Sequence, residues 1–131
     1  MSNIRIENSD NLIHSASMGI HFVDADGNIV YANQSELEIL GYDRDEYIGH
    51  HTSEFQVDKN VLEDMMERLG RREILKNYPA RVRGKNGIKY ILYNSSVYEE
   101  NGRFVHTRCF ATDIDEIIYR AFVAESEYFN S

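Results

Sequence analysis

Read from Gly19, the chain runs Gly19-Ile20-His21-Phe22-Val23, a short stretch rich in β-branched and aromatic residues that predicts a strand. Asp24-Ala25-Asp26-Gly27 supplies turn chemistry, and Asn28-Ile29-Val30-Tyr31-Ala32 predicts a second strand, so the two make a hairpin. Asn33 can cap a helix in which Leu37 and Leu40, with Ile39 flanking, return at helical spacing until Gly41 ends it. Tyr42 to Gln56 is irregular and predicts one or two short helical turns without a strand. Beyond it, Asp58 can cap a longer helix reaching about Gly70, with Val61, Leu62, Met65, Met66 and Leu69 as its apolar stripe. Methionines in such a stripe read as adaptable core. Three strands follow, Ile74 to Arg83, Ile88 to Tyr98 and Phe104 to Thr112. The segments between them carry Asn86-Gly87 and Asn101-Gly102, and Asn-Gly is a strong hairpin signal. Ser9 to Ser17 predicts a short lead-in helix with Leu12, Ile13 and Ala16 on one face, and the chain returns to helical periodicity after Asp113.

Two strands, several helices and three antiparallel strands define an α+β architecture, a five-stranded sheet with helices over one face. With 131 residues there is room for one domain. The expected division is a lead-in helix over 1–18, a core over 19–113 and a signalling helix or linker over 114–131. Apolar runs are too short to span a bilayer, and the N-terminus lacks a basic region followed by an apolar stretch, so neither a membrane segment nor a secretion signal is expected. The single cysteine, Cys109, cannot form an internal disulfide, which fits a cytoplasmic setting. A formal net charge of -8 opposes docking on phosphate backbones or anionic lipid, so no nucleic acid and no direct membrane contact are expected. The basic residues from Arg68 to Arg72 read as solvated surface.

Phe22-Val23-Asp24, Asp26-Gly27, Ile29-Val30-Tyr31-Ala32-Asn33, Leu40-Gly41-Tyr42, Asp45-Glu46-Tyr47-Ile48-Gly49, Gly84-Lys85-Asn86-Gly87 and Thr112-Asp113-Ile114-Asp115 occur in this order. In order and spacing they resemble the PAS family of sensory domains from about Asp10 to Asp115. The family usually closes with Asp-Ile-Thr, and Asp115 stands here in place of the threonine. The resemblance implies an input domain of a larger signalling protein, a homodimer with a C-terminal effector domain such as a histidine kinase or a diguanylate cyclase, and a small organic ligand as the input. A dimerisation module without ligand and a small cavity enzyme are the alternatives.

Comparison with flavin-binding members of that family, combined with strand alternation, gives an expected cavity lining of Ala80, Val82, Tyr90, Leu92, Asn94, Ser96, Thr107, Cys109 and Ala111. The photoreceptor members carry a reactive cysteine in a stretch that corresponds to Gly49–Gln56, where no cysteine stands. Haem-binding members use a histidine on the long helix, and Asp58 to Gly70 has none. The cofactor is therefore unknown, with haem and a photoactive flavin disfavoured. Cys109 reads as a structural thiol, and His21 and His106 as ordinary strand residues. His50 and His51 are adjacent and would point apart, so no metal site is expected. No nucleophile elbow, phosphate loop or zinc-protease motif is present, which leaves no catalytic residue to name.

Two surface expectations complete the reading. Phe104, His106, Arg108 and Phe110 alternate on the last strand and should form an aromatic strip on the outer sheet face. Asp113, Ile114, Ile117, Ala121, Ala124 and Tyr128 are the expected signal-transmission residues. The last five recur at alternating steps of three and four, the seam of a coiled coil; Phe122 and Phe129 lie off it and suit a helix folded back on its own sheet.

Overall fold

The computed structural model describes residues 18–130, with side chains to residue 126. Five antiparallel strands, β1 (Gly19–Val23), β2 (Ile29–Ala32), β3 (Leu75–Gly84), β4 (Gly87–Glu100) and β5 (Arg103–Ile114), form one sheet in the order β2-β1-β5-β4-β3. Between β2 and β3 come helices α1 (Gln34–Leu40), α2 (Arg44–Tyr47) and α3 (Lys59–Gly70), with a 3₁₀ turn at Thr52–Glu54 ahead of α3. Helix α4 (Glu116–Asn130) follows β5. The expected lead-in helix, Ser9 to Ser17, lies outside the described residues. None of the helices is long and apolar enough to cross a membrane among the described residues.

The first hairpin is stitched to α1 by one side chain. Asn33 is fully buried; its Oδ1 accepts from the backbone N–H groups of Ile20 and Glu36, both at 2.9 Å, and its Nδ2 donates to the Met18 carbonyl. The cap thus fixes both the helix start and the position of β1 beneath it. Gly41 ends α1 in the left-handed region, φ 84°, and donates to the Leu37 carbonyl. Asp58 occupies the N-cap position of α3, but its carboxylate is drawn to β3, where it accepts from Arg81 Nε at 3.0 Å and Nη2 at 2.7 Å. That bidentate pair ties the start of α3 to the sheet. The core lies between the inner sheet face and the helices, with Ile29, Leu37, Leu40, Met65, Val82 and Ile91 among its buried members.

One expectation about the outer sheet face needs correcting. The β4–β5 register shifts between Tyr98 and Glu99, where Val105 is an extra residue on β5, and the bulge reverses the alternation. Phe104 therefore turns to the inner face and lines the cavity described below, while His106 and Arg108 remain outside. Helix α4, in turn, lies back along β3 and β4: Tyr119, Phe122 and Val123 are half-buried, and the Tyr119 ring packs 5.0 Å from that of Tyr90. The expected seam residues Ile117, Ala121 and Ala124 are exposed, Ile117 at 80%. Fold-back and seam are thus different faces of one helix. Tyr128 lies outside the described side chains.

Candidate functional site: a cavity over a buried His–Glu pair

A cavity of about 350 Å³ opens between α3 and the inner face of the sheet. Leu62, Met65, Met66 and Leu69 of α3 form its apolar wall, as the helical stripe requires. The sheet supplies His21 and Val23 from β1, Tyr93, Ser95 and Val97 from β4, and Thr107 and Cys109 from β5. Thr52 and Gln56, from the segment around the 3₁₀ turn, close one side, and Arg72 stands at the edge with its guanidinium 5.7 Å from the centre of the Phe104 ring.

The polar end of the cavity is built on a buried ionisable group. His21 is 4% exposed and Glu36, on α1, is 2% exposed; Nδ1 of the imidazole lies 3.0 Å from Glu36 Oε2, outside hydrogen-bond alignment. The same Oε2 accepts a short hydrogen bond from the Tyr47 hydroxyl. Glu36 can approach β1 only because Gly19 has no side chain: a Cβ there would fall 2.5 Å from Glu36 Oε1. The rings of Tyr47 and Tyr93 hold the imidazole edge-on, at centroid distances of 6.1 and 5.9 Å.

Burial by itself pushes the His21 imidazole down, but the Cys109 thiol and the Glu36 carboxylate more than reverse it and raise it to about 10. His21 is accordingly protonated at neutral pH. Tyr47 and Tyr93 are pushed well above the ordinary tyrosine value by burial and by Glu36, so both keep their hydroxyl protons. Among the described residues, three buried side-chain atoms make no hydrogen bond: His21 Nδ1, Thr52 Oγ1 and Gln56 Oε1. All three residues line this cavity.

A family model described as the PAS domain matches residues 17–116. The chain belongs to the PAS domain family. Among solved structures it is similar to a light-oxygen-voltage domain studied with a flavin analogue, at 20% identity and a TM-score of 0.78 over 90% of this chain and 93% of that one. It is also similar to the PAS domain of an HTR-like protein from Haloarcula marismortui, at 23% identity and a TM-score of 0.69, covering 82% and 93%. A domain of a sensory box sensor histidine kinase/response regulator from Geobacter sulfurreducens matches at 21% identity and a TM-score of 0.69, covering 82% and 92%. A comparison with curated proteins finds no match. PAS domains are sensory modules, and the match over residues 17–116 makes this one a sensory domain.

Within this PAS domain, the expected lining residues divide between the two faces of the sheet. Thr107 and Cys109 reach the cavity, and Ala80, Val82 and Ala111 lie on the same inner face within the core. Tyr90, Leu92, Asn94 and Ser96 do not: Ala80 pairs with Ile91 and Ala111 with Tyr93, so the inward residues of β4 are Ile91, Tyr93, Ser95 and Val97. The physical reason for the one-residue slip is that β4 is covered on both faces, and each alternate set mixes apolar and polar side chains. Asn94 has a structural task outside. Its Oδ1 accepts from the Asn77 backbone N–H at 3.1 Å, where Asn77 adopts φ 49° at the β3 irregularity.

His21, Glu36, Tyr93, Thr52 and Gln56 were absent from the expected site. The available signal was Glu36, a carboxylate four residues before Leu40 on the apolar face of a short helix. Of the expected transmission residues, Asp113 pairs with Lys89 Nζ at 3.3 Å, and Ile114 sits opposite Tyr90. His50 and His51 turn to different partners, Glu54 Oε1 at 3.0 Å and Ser53 Oγ at 2.9 Å.

Proposed function

We propose that this PAS domain is the input module of a larger signalling protein and that its input is a small organic molecule held between α3 and the sheet. The observation that carries this reading is the convergence of Thr52 Oγ1 and Gln56 Oε1, each buried and without a hydrogen-bond partner, on the one cavity that also meets the charged His21–Glu36 pair. A buried unsatisfied polar atom costs about 1–3 kcal/mol, and a ligand with matching groups removes that cost. The apolar α3 wall suits the rest of such a ligand. Native mass spectrometry of freshly purified protein tests the reading. A co-purifying small mass, released on denaturation, is expected; a bare chain whose melting temperature no small-molecule library shifts would count against it.

A light-driven flavin adduct does not fit. The segment that would carry its thiol, Gly49–Gln56, has none. For the output, α4 is the natural conductor, because it begins directly after β5, whose Cys109 and Thr107 line the cavity. Its exposed Ile117, Ala121 and Ala124 would pair with the same face of a second copy and pass the change to an effector such as a histidine kinase or a diguanylate cyclase.

A further inference from the structure

The charge balance of the cavity and its open polar groups together restrict what can occupy it. Each charged side chain on the lining is already engaged: His21 by Glu36 at 3.0 Å, Arg72 by Glu99 at 3.6 Å, and Asp24 by the backbone N–H groups of Asp26 and Asn28, both at 2.9 Å. A carboxylate or an ammonium group entering this space would shed its water and meet no free counter-charge. A neutral occupant is favoured.

The open groups then set the pattern of its head. Gln56 Nε2 donates to the Tyr93 hydroxyl at 3.2 Å, while Gln56 Oε1, buried beside it, receives no hydrogen bond. The Tyr93 hydroxyl keeps its proton, held by burial and by Glu36, and its one hydrogen bond among the described residues is the one it receives from Gln56. An acceptor lacking a donor thus stands beside a donor lacking an acceptor. Turning the carboxamide over leaves the same pair: the tyrosine then donates to Oε1, and Nε2 and the phenol oxygen become the open donor and acceptor. Thr52 Oγ1, also unpartnered, can serve either role.

We infer that the cavity selects an uncharged ligand whose head carries an N–H donor next to a carbonyl acceptor, the pattern of a lactam or primary amide, on a hydrocarbon body, and that Gln56 is the specificity-determining residue. This rests on the ligand-cavity reading above and specifies the ligand class. An amide places its donor and acceptor on separate neighbouring atoms, as Gln56 and Tyr93 do, so one planar head satisfies both buried groups. A lone hydroxyl has a single oxygen for the two tasks. The Gln56 backbone is held against Val82 of β3 by an antiparallel bridge, which anchors its carboxamide at the cavity side. Leu62, Met65 and Leu69 cover the body, and the unbranched methionine adapts to its outline.

The test titrates the full chain with 2-quinolone and coumarin by ligand-observed NMR. The two share their rings and carbonyl and differ in one position, a lactam N–H against a lactone oxygen whose lone pair would face the open acceptor. 2-Quinolone should bind about tenfold more tightly than coumarin, and also more tightly than 2-naphthol and 2-naphthoate. In Gln56→Leu its advantage over coumarin should shrink to within about threefold. Should that variant fail to fold, Gln56→Asn, which withdraws the amide by one methylene, should narrow the advantage likewise. Coumarin or 2-naphthol binding as tightly as 2-quinolone overturns the amide head and leaves the cavity reading standing. Tightest binding by 2-naphthoate overturns the neutral class in the same way, and an undiminished advantage in the Gln56 variants removes that residue from its role. If none of these compounds binds, the inference fails, and the cavity reading stands or falls with the co-purifying mass.

Discussion

The two faces of the sheet each hold a histidine among aromatic rings, and they treat it oppositely. On the inner face, His21 sits edge-on to Tyr47 and Tyr93 beside Glu36, and is raised to about 10 by Cys109 and Glu36 against the effect of burial. On the outer face, His106 lies flat between the rings of Phe22, at 4.3 Å, and Tyr98, at 5.4 Å, and its proton affinity is lowered by burial and by Arg108. Arg108 donates to His106 Nε2 at 3.0 Å, which requires that nitrogen to be unprotonated. Aromatic surroundings are common to both. Burial lowers both; the neighbours make the difference, Cys109 and the Glu36 carboxylate overcoming it in one case and the Arg108 guanidinium adding to it in the other.

The largest effect should come from breaking the inner pair. Glu36→Ala leaves His21 as an uncompensated buried cation and the Tyr47 hydroxyl without its acceptor, and should destabilise the fold by about 3–5 kcal/mol in urea denaturation at pH 7. A loss below about 1 kcal/mol would mean that the pair is not charged in the folded state.

Next in size is the pH response. Because the folded His21 value is raised above the unfolded one, its contribution is fully present below about 6.5 and is lost as pH rises towards 10. Stability should therefore fall by about 1 kcal/mol per pH unit across that window. His21→Gln should flatten the slope between pH 7 and 9.5, and an unchanged slope would assign the titration elsewhere.

A smaller effect separates the faces on β4. Asn94→Leu removes the acceptor for the Asn77 N–H on the outer side and should cost about 1 kcal/mol. It should leave small-molecule binding in the cavity unchanged. A weakened affinity with normal stability would return Asn94 to the ligand.

The strands, the hairpins and the capped helices were legible because each carried a local signal. Asn33 and Gly41 bracket α1, and Asn86-Gly87 and Asn101-Gly102 mark the two long hairpins. The site was legible only in part. Thr107 and Cys109 followed from alternation on β5, which has a small-residue inner face, whereas β4 has no polar side to distinguish inside from outside. The His21–Glu36 pair joins a strand to a helix 15 residues away and depends on Gly19 making space. No periodicity announces a contact of that kind. Phe104 was misplaced by a single-residue bulge, and one extra residue inverts a face without altering composition.

The smallest expected effect tests the outer histidine. With its folded proton affinity lowered, His106 contributes stability that is present above about 6.5 and is lost as pH falls through its folded value, because the unfolded chain then binds the proton more tightly. Protonation would also set an N–H against the donating Arg108 Nε. His106→Phe preserves a flat ring between Phe22 and Tyr98 and removes the titration; it gives up the acceptor for Arg108, whose guanidinium still lies 3.9 Å over the Tyr98 ring. At pH 7.5 the variant should match the parent protein to within about 0.5 kcal/mol. At pH 5 it should be the more stable of the two, by under about 1 kcal/mol, since the group is only partly shielded from solvent. The carboxylates that titrate in this range are common to both proteins, as is His21, so the difference between the two urea midpoints isolates His106. A difference that stays flat from pH 7.5 to 5 would show that the outer stack is indifferent to charge, and the contrast between the two faces would then rest on His21 alone.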